Sequence, residues 1–192
     1  MKKDTVLFVI VALIVGLLGG YLIFSISAKN QIAPVVGGGV PQGGGSATDY
    51  QTRIMEAEKI VTRDPKNLQA WIQLGNDYFD TGQPQKAINA YAKALEIRPN
   101  DPNVLTDQGV MYKQLGEFNK AVANFEKANQ IDPKHLQSLY NLGITYADNL
   151  KQMDKASKAW ERFLEIDSTS PTAQQVKASL EQYKSGPKTF KK

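Results

Sequence analysis

The chain has 192 residues, no cysteine, one histidine and a formal charge of +4. Without thiols there are no disulfides, thiolate metal sites, cysteine nucleophiles or covalent haem attachment to this chain, and His135 is left as the sole imidazole. The positive charge sits at the ends, on Lys2, Lys3, Lys29, Lys184, Lys188, Lys191 and Lys192; Asp4 is the only acid outside residues 49–183, and inside those limits acids outnumber bases, which removes the main support for nucleic-acid binding.

After residues 1–4, the run Thr5 to Ser27 has no charge and fifteen Val, Leu, Ile or Phe residues. At about 0.3 to 0.6 kcal/mol each, these favour insertion by about 4 to 9 kcal/mol before Gly and Ser subtract. The run is long enough to span a bilayer and reads as a transmembrane signal anchor over 5–27. A cleaved signal peptide, with Ser25 and Ser27 near the cleavage point, is the alternative, although its apolar region is normally about 7 to 15 residues. Lys2 and Lys3 flank the run on one side and Lys29 alone on the other, so the N-terminus stays cytoplasmic and the rest crosses the membrane. In a bacterium that places the remainder in the periplasm, tethered to the inner membrane or released if the signal is cleaved.

Residues 28–48 hold two Gly triplets, two prolines and almost no charge, the composition of a flexible linker. No Gly-Lys-Ser/Thr follows the glycines and no strand precedes them, so they are not a phosphate loop. A coil of about twenty such residues has an end-to-end distance of roughly 25 Å.

A helical domain is predicted over 49–184, followed by a basic tail at 185–192. Tyr50, Ile54, Ala57, Ile60 and Val61 make one apolar stripe at helical spacing, closed by Asp64 and Pro65. Three related stretches follow: WIQLGNDYF from Trp71, LTDQGVMYK from Leu105 and LYNLGITYA from Leu139. Gly75, Gly109 and Gly143 match, as do Tyr78, Tyr112 and Tyr146. Further on, Ala87 matches Ala121 and Ala156, Tyr91 matches Phe125 and Trp160, and Ala94 matches Ala128 and Phe163.

This pattern resembles the tetratricopeptide repeat, a helix-turn-helix unit of about 34 residues with Trp-x2-Leu-Gly-x2-Tyr, then Ala-x3-Phe, then Pro. The first unit, 68–101, keeps Trp71, Leu74, Gly75, Tyr78, Ala87 and Pro99, with Tyr91 for Phe; the second, 102–135, has Leu105 for Trp and Gln108 for Leu. The third, 136–170, has an extra residue in the turn DNLKQMDK, Phe163 for the small Ala and Ser168 for Pro. The helix over about 50–63 reads as an N-terminal half unit, and 171–184 as a capping helix whose apolar positions are Ala173, Val176, Leu180 and Tyr183. The expected fold is an all-α solenoid of three units with a half-unit helix before it and a cap after it, preceded by one transmembrane helix.

No catalytic constellation accompanies the repeats. His135 reads as a solvated turn residue with no nucleophile near it, and Glu56 with Glu58 or Glu161 with Glu165 as surface charges beside Lys and Arg. The expectation is therefore no enzyme, no catalytic residue, no cofactor and no metal. The family resemblance implies that the first helices of successive units line a concave groove for a partner's helix or peptide. Its lining would be Gln69, Ile72, Asn76, Phe79 and Asp80; then Asn103, Thr106, Val110, Lys113 and Gln114; then Gln137, Tyr140, Ile144, Ala147 and Asp148. In chaperone-binding members of the family, Lys, Arg and Asn in this groove clamp a C-terminal carboxylate. Here Asn76 and Asn141 fall at or near clamp positions but Ile72, Asp107 and Gln137 occupy others, without the cations, which speaks against such a clamp. The apolar members better suit an amphipathic helix, with packing between repeats as the alternative role for Val110 or Ile144. The layout also resembles the membrane-anchored repeat subunits of bacterial cytochrome c maturation, which implies the C-terminal helix of an apocytochrome as a partner. Assembly of the chain with itself is a third reading.

Overall fold

The computed structural model describes residues 47–185. The predicted anchor at 5–27, the linker up to residue 46 and the tail from 186 lie outside the described residues. Among those described, no helix is long and apolar enough to cross a membrane. The described chain runs through α1 (Ala47–Arg63), α2 (Leu68–Asp80), α3 (Pro84–Ile97), α4 (Pro102–Gln114), α5 (Phe118–Ile131), α6 (Leu136–Ile144), a π turn (Thr145–Asn149), α7 (Met153–Ile166) and α8 (Pro171–Ser185).

Each unit starts its first helix with a side-chain cap, because the opening N–H groups of a helix have no partner within it. Asn67 accepts from the Ala70 N–H at 3.0 Å, and Asp101 from Asn103 and Val104 at 3.1 and 3.2 Å. His135 Nδ1 accepts from Ser138 at 3.3 Å, and Ser170 Oγ from Ala173 at 3.1 Å. His135 is thus a half-buried cap, not the solvated turn residue expected. The second helices start without side-chain caps. They follow a tight turn closed by one recurring bond, donated by Gln83, Glu117 and Gln152 to the carbonyls of Tyr78, Tyr112 and Tyr146 at 2.8, 2.9 and 2.7 Å.

The extra residue of unit three, expected in the turn, is absorbed instead by widening the end of the first helix into the π turn Thr145–Asn149. That keeps the Gln152 to Tyr146 bond and leaves the tight turn its ordinary shape. Its left-handed position is filled by Gly82 (φ +66) and Gly116 (φ +78) in the first two units but by Lys151 (φ +57) in the third. A side chain there is strained. Lys151→Gly is expected to stabilise the chain by about 0.5 to 1 kcal/mol, since the gain exceeds the entropy of a freer unfolded chain; a thermal melt that falls instead would show the turn unstrained.

Within a unit the two helices meet through glycine. A Cβ on Gly75, Gly109 or Gly143 would lie 2.4, 2.6 or 2.1 Å from the ring of Tyr91, Phe125 or Trp160, so only a bare Cα admits the aromatic. Ala87, Ala121 and Ala156 are fully buried beside these contacts. Phe125 is itself fully buried and has nowhere to retreat. Gly109→Ala is therefore expected to cost about 1 to 3 kcal/mol by overpacking, and an unchanged melting temperature would break the assigned pairing.

On α1, Ile54, Ala57 and Val61 are buried while Ile60, predicted on the same stripe, is 45% exposed and Met55 is 53% exposed. Among the described residues, only one face of this half unit has a neighbour. The Arg53 guanidinium pairs with the Asp77 carboxylate of α2, and the Tyr78 hydroxyl donates to Glu58 at 2.6 Å. At the other end α8 takes the place of a further first helix. It buries Ala173, Val176 and Leu180 and leaves Gln174, Lys177, Ala178 and Glu181 exposed on its other side.

Candidate functional site

The first helices follow one another along the array, and side chains tie α4 to α6 and α6 to α8. Between α4 and α6, His135 Nε2 lies 3.0 Å from Asn103 Oδ1, and Lys113 Nζ donates to Asn141 Oδ1 at 3.3 Å. Because Nδ1 already accepts at the cap, Nε2 carries the proton and donates to Asn103. Burial pushes this imidazole below its ordinary value, against the pull of Asp132 and Asp101. Between α6 and α8 the Tyr140 hydroxyl donates to Gln175 Oε1 at 3.3 Å, with the Tyr140 ring 6.3 Å from that of Phe163. Between α2 and α4, the charge of Asp80 reaches Asp107.

The predicted lining divides by exposure. Gln69, Asp80, Asn103, Gln114 and Asp148 are exposed, and Ile72, Asn76, Phe79, Lys113, Gln137, Tyr140 and Ile144 are half-buried. Thr106, Val110 and Ala147 are buried and are corrected from lining to support. Helix α4 has neighbours on both sides, which cover more of its surface than the helical period alone suggests. The Thr106 hydroxyl is occupied as a donor to the Pro102 carbonyl at 2.7 Å, and Ala147 sits within the π turn. Ile72, Phe79, Tyr140 and Ile144 rest on the core with part of each side chain still open. Such half-covered apolar groups flanked by polar ones suit a partner's apolar face.

The predicted lining omits Asp107 and Gln175. Asp107, named above only as a clamp position without its cation, precedes Val110 by about one turn, and its neighbours' charges mark it as distinctive. Burial first, then Asp101 and Asp80, push its carboxyl up to about 7. Asp101 is committed to the α4 cap and to Arg98 at 3.3 Å, and Asp80 accepts from Tyr50. On the other side of α4, burial lowers the Lys113 ammonium while the Asp148 charge acts the other way. The face is therefore electrically divided, with carboxylates at the α2 and α4 junction and an ammonium at the α4 and α6 junction. Among the described residues no group of three or more His, Asp or Glu side chains is placed to hold a metal ion.

Family models described as tetratricopeptide repeat match residues 68–101, 90–123 and 136–170, and one described as TPR repeat matches 109–149, so together they run unbroken from 68 to 170. Tetratricopeptide repeat protein 14 of Mus musculus is 30% identical over 118 residues, covering 58% of this chain and 15% of that protein. Small glutamine-rich tetratricopeptide repeat-containing protein 2 of Mycosarcoma maydis is 28% identical over 112 residues, covering 58% and 32%. The chain thus spans no more than about a third of either relative. Among solved structures, MamA superposes with a TM-score of 0.66 at 24% identity over 71% of this chain and 80% of that one. The first TPR of Spaghetti (RPAP3), bound to the HSP90 peptide SRMEEVD, gives 0.58 at 23% over 64% and 97%. YrrB, described as a TPR protein with an unusual peptide-binding site, gives 0.62 at 24% over 67% and 66%. At these identities the structures share a fold with this chain.

Proposed function

Through residues 68–170 the chain belongs to the tetratricopeptide repeat family, and from that premise we propose a membrane-tethered scaffold whose row of first helices binds a helix or peptide of a partner protein. One observation carries the reading: the half-buried apolar residues Ile72, Phe79, Tyr140 and Ile144 on the first helices, interleaved with polar side chains. The side-chain ties between α4, α6 and α8 hold that surface in shape before a partner arrives, which reduces the entropy lost on binding. Neighbours of the same fold hold peptides, among them the Spaghetti domain with its HSP90 peptide and YrrB. The uncharged run at 5–27 with Lys2 and Lys3 before it supports a single-pass anchor in the inner membrane with the repeats in the periplasm.

A photo-crosslinking side chain placed at Ile72 or Tyr140 is expected to capture other envelope proteins, while the same group at Lys127 or Glu165, exposed on second helices, captures none of them. Equal capture from all four positions would remove the first-helix face from the reading, and capture of the chain's own copies alone would make it a self-assembling scaffold. The absence of cysteine gives a clean background for topology. A single thiol introduced as Ser168→Cys is expected to react in intact cells with a maleimide that cannot cross the inner membrane; labelling only after lysis would place the repeats in the cytoplasm.

A further inference from the structure

The binding face holds one charge whose surroundings within the chain do not explain it. Asp107 is half-buried between α2 and α4. No ion pair or hydrogen bond engages its carboxylate among the described residues, although Asp80 and Asp101 beside it each have a partner. The charges that reach Asp107 are those of Asp101 and Asp80, both of its own sign. Arg53, whose charge reaches Asp80, is engaged with Asp77, Arg98 is engaged with Asp101, and Lys113 is turned to Asn141. Its carboxylate is not sealed from solvent either, for the residue is only half-buried.

The repeat itself shows that the fold does not require this charge. The corresponding position is Gln73 in unit one and Asn141 in unit three, both amides. Gln73 donates to Asp77 at 3.1 Å, and Asn141 accepts from Lys113. In unit two the amide is replaced by a carboxylate with no such partner. An unpaired, partly desolvated carboxylate is unfavourable where it stands and gains most from a cation delivered with its own donors.

Resting on the binding face proposed above, we infer that the junction of α2 and α4 seats a basic side chain, Lys or Arg, of the bound segment, with its cation on the Asp107 carboxylate and Asp80 at the rim. The occupant is therefore a protein segment with a cationic residue among its apolar anchors. A terminal carboxylate would meet repulsion at this junction. The Asn76 amide of α2 is already fixed, since its Oδ1 accepts from the Tyr91 hydroxyl at 2.9 Å, and the charges of Asp107 and Asp80 both reach that hydroxyl.

The test is a random peptide library on phage, panned against the full-length chain in detergent micelles, with Asp107→Asn and Ile72→Ser panned in parallel. The expected winners carry Lys or Arg in one register between apolar residues. A synthetic winner should bind roughly ten- to a hundredfold more tightly than its twin with norleucine for the basic residue. Asp107→Asn should erase that difference and leave the norleucine twin bound as before; its thermal melt confirms that it is folded. Winners without a basic preference, winners rich in acids, or a preference that survives Asp107→Asn would overturn the seat while binding that still depends on Ile72 keeps the groove. Binding indifferent to both substitutions would overturn the seat and the groove together.

Discussion

Replacing Arg53 with Met is expected to lower the unfolding free energy by about 3 kcal/mol, near the low end for breaking a buried pair by removing one partner. Asp77 is 0% exposed in α2, and its partners are the Arg53 guanidinium from α1 and the Gln73 amide at 3.1 Å. With Met at 53, one amide is left to hold a buried carboxylate. The Arg53 side chain is itself 34% exposed, so water screens part of the attraction and holds the loss near the bottom of the range. Adding Asp77→Asn to Arg53→Met should recover most of the loss, because the stranded charge disappears. A denaturant titration at neutral pH reads both. A loss below about 1 kcal/mol in the single variant would mean that α1 is not clamped to the repeats and would undo its reading as a half unit.

Asp107→Asn is expected to do the opposite, stabilising the chain by about 2 to 4 kcal/mol at pH 8 and by almost nothing at pH 4. The carboxyl, ordinarily near 4, is held up to about 7 by burial and by its two acidic neighbours. A raised value means that the native state keeps the proton longer than the unfolded chain does. The stability linked to this group is fully present below the unfolded value and is lost as pH rises through about 7, at about 1.4 kcal/mol per pH unit over an interval of roughly three units. Partial exposure of Asp107 lowers that ceiling of about 4 kcal/mol. Asn has no proton to lose and escapes the whole dependence. Unfolding curves at pH 5, 6, 7 and 8 should show the two chains diverging and then running parallel above about pH 8; parallel curves throughout would show that Asp107 is ordinarily solvated. A residue that weakens the fold in this way fits a role in binding.

The repeat was legible because its central contact leaves a mark at fixed spacing. Helices that touch through Gly75, Gly109 and Gly143 demand a bare Cα on one side and an aromatic on the other, and that pair survives the change from Tyr91 to Phe125 to Trp160. Other features left weaker marks. His135 escaped notice as a cap because imidazole is an unusual cap, recognisable only once Nδ1 is seen facing the Ser138 N–H. The extra residue of unit three pointed to a loop, yet the bond from Gln152 to Tyr146 is what the fold preserves, so the slack moved into the helix. The family resemblance put Thr106, Val110 and Ala147 on the open face, with packing as the alternative for Val110. A position in the repeat gives a side chain's direction but not how far neighbouring helices reach, and all three are covered. Asp107 was noticed only as a clamp position lacking its cation, because its character comes from Asp80 and Asp101, brought beside it by the fold.

The two sides of α8 decide how long the array can be. Its inner side, with Ala173, Val176 and Leu180, obeys the rule by which each first helix joins the unit before it. Its outer side sets Ala178 in the frame of Gly143, but surrounds it with Gln174, Lys177 and Glu181 in water. Those side chains offer an incoming aromatic helix no dry surface. A new unit could be spliced in by duplication anywhere before α8 and find a complementary neighbour on each side, whereas one appended after it would meet a surface already hydrated. The count of units is thus written in one face of one helix, and lengthening the array at that end requires rewriting that face first.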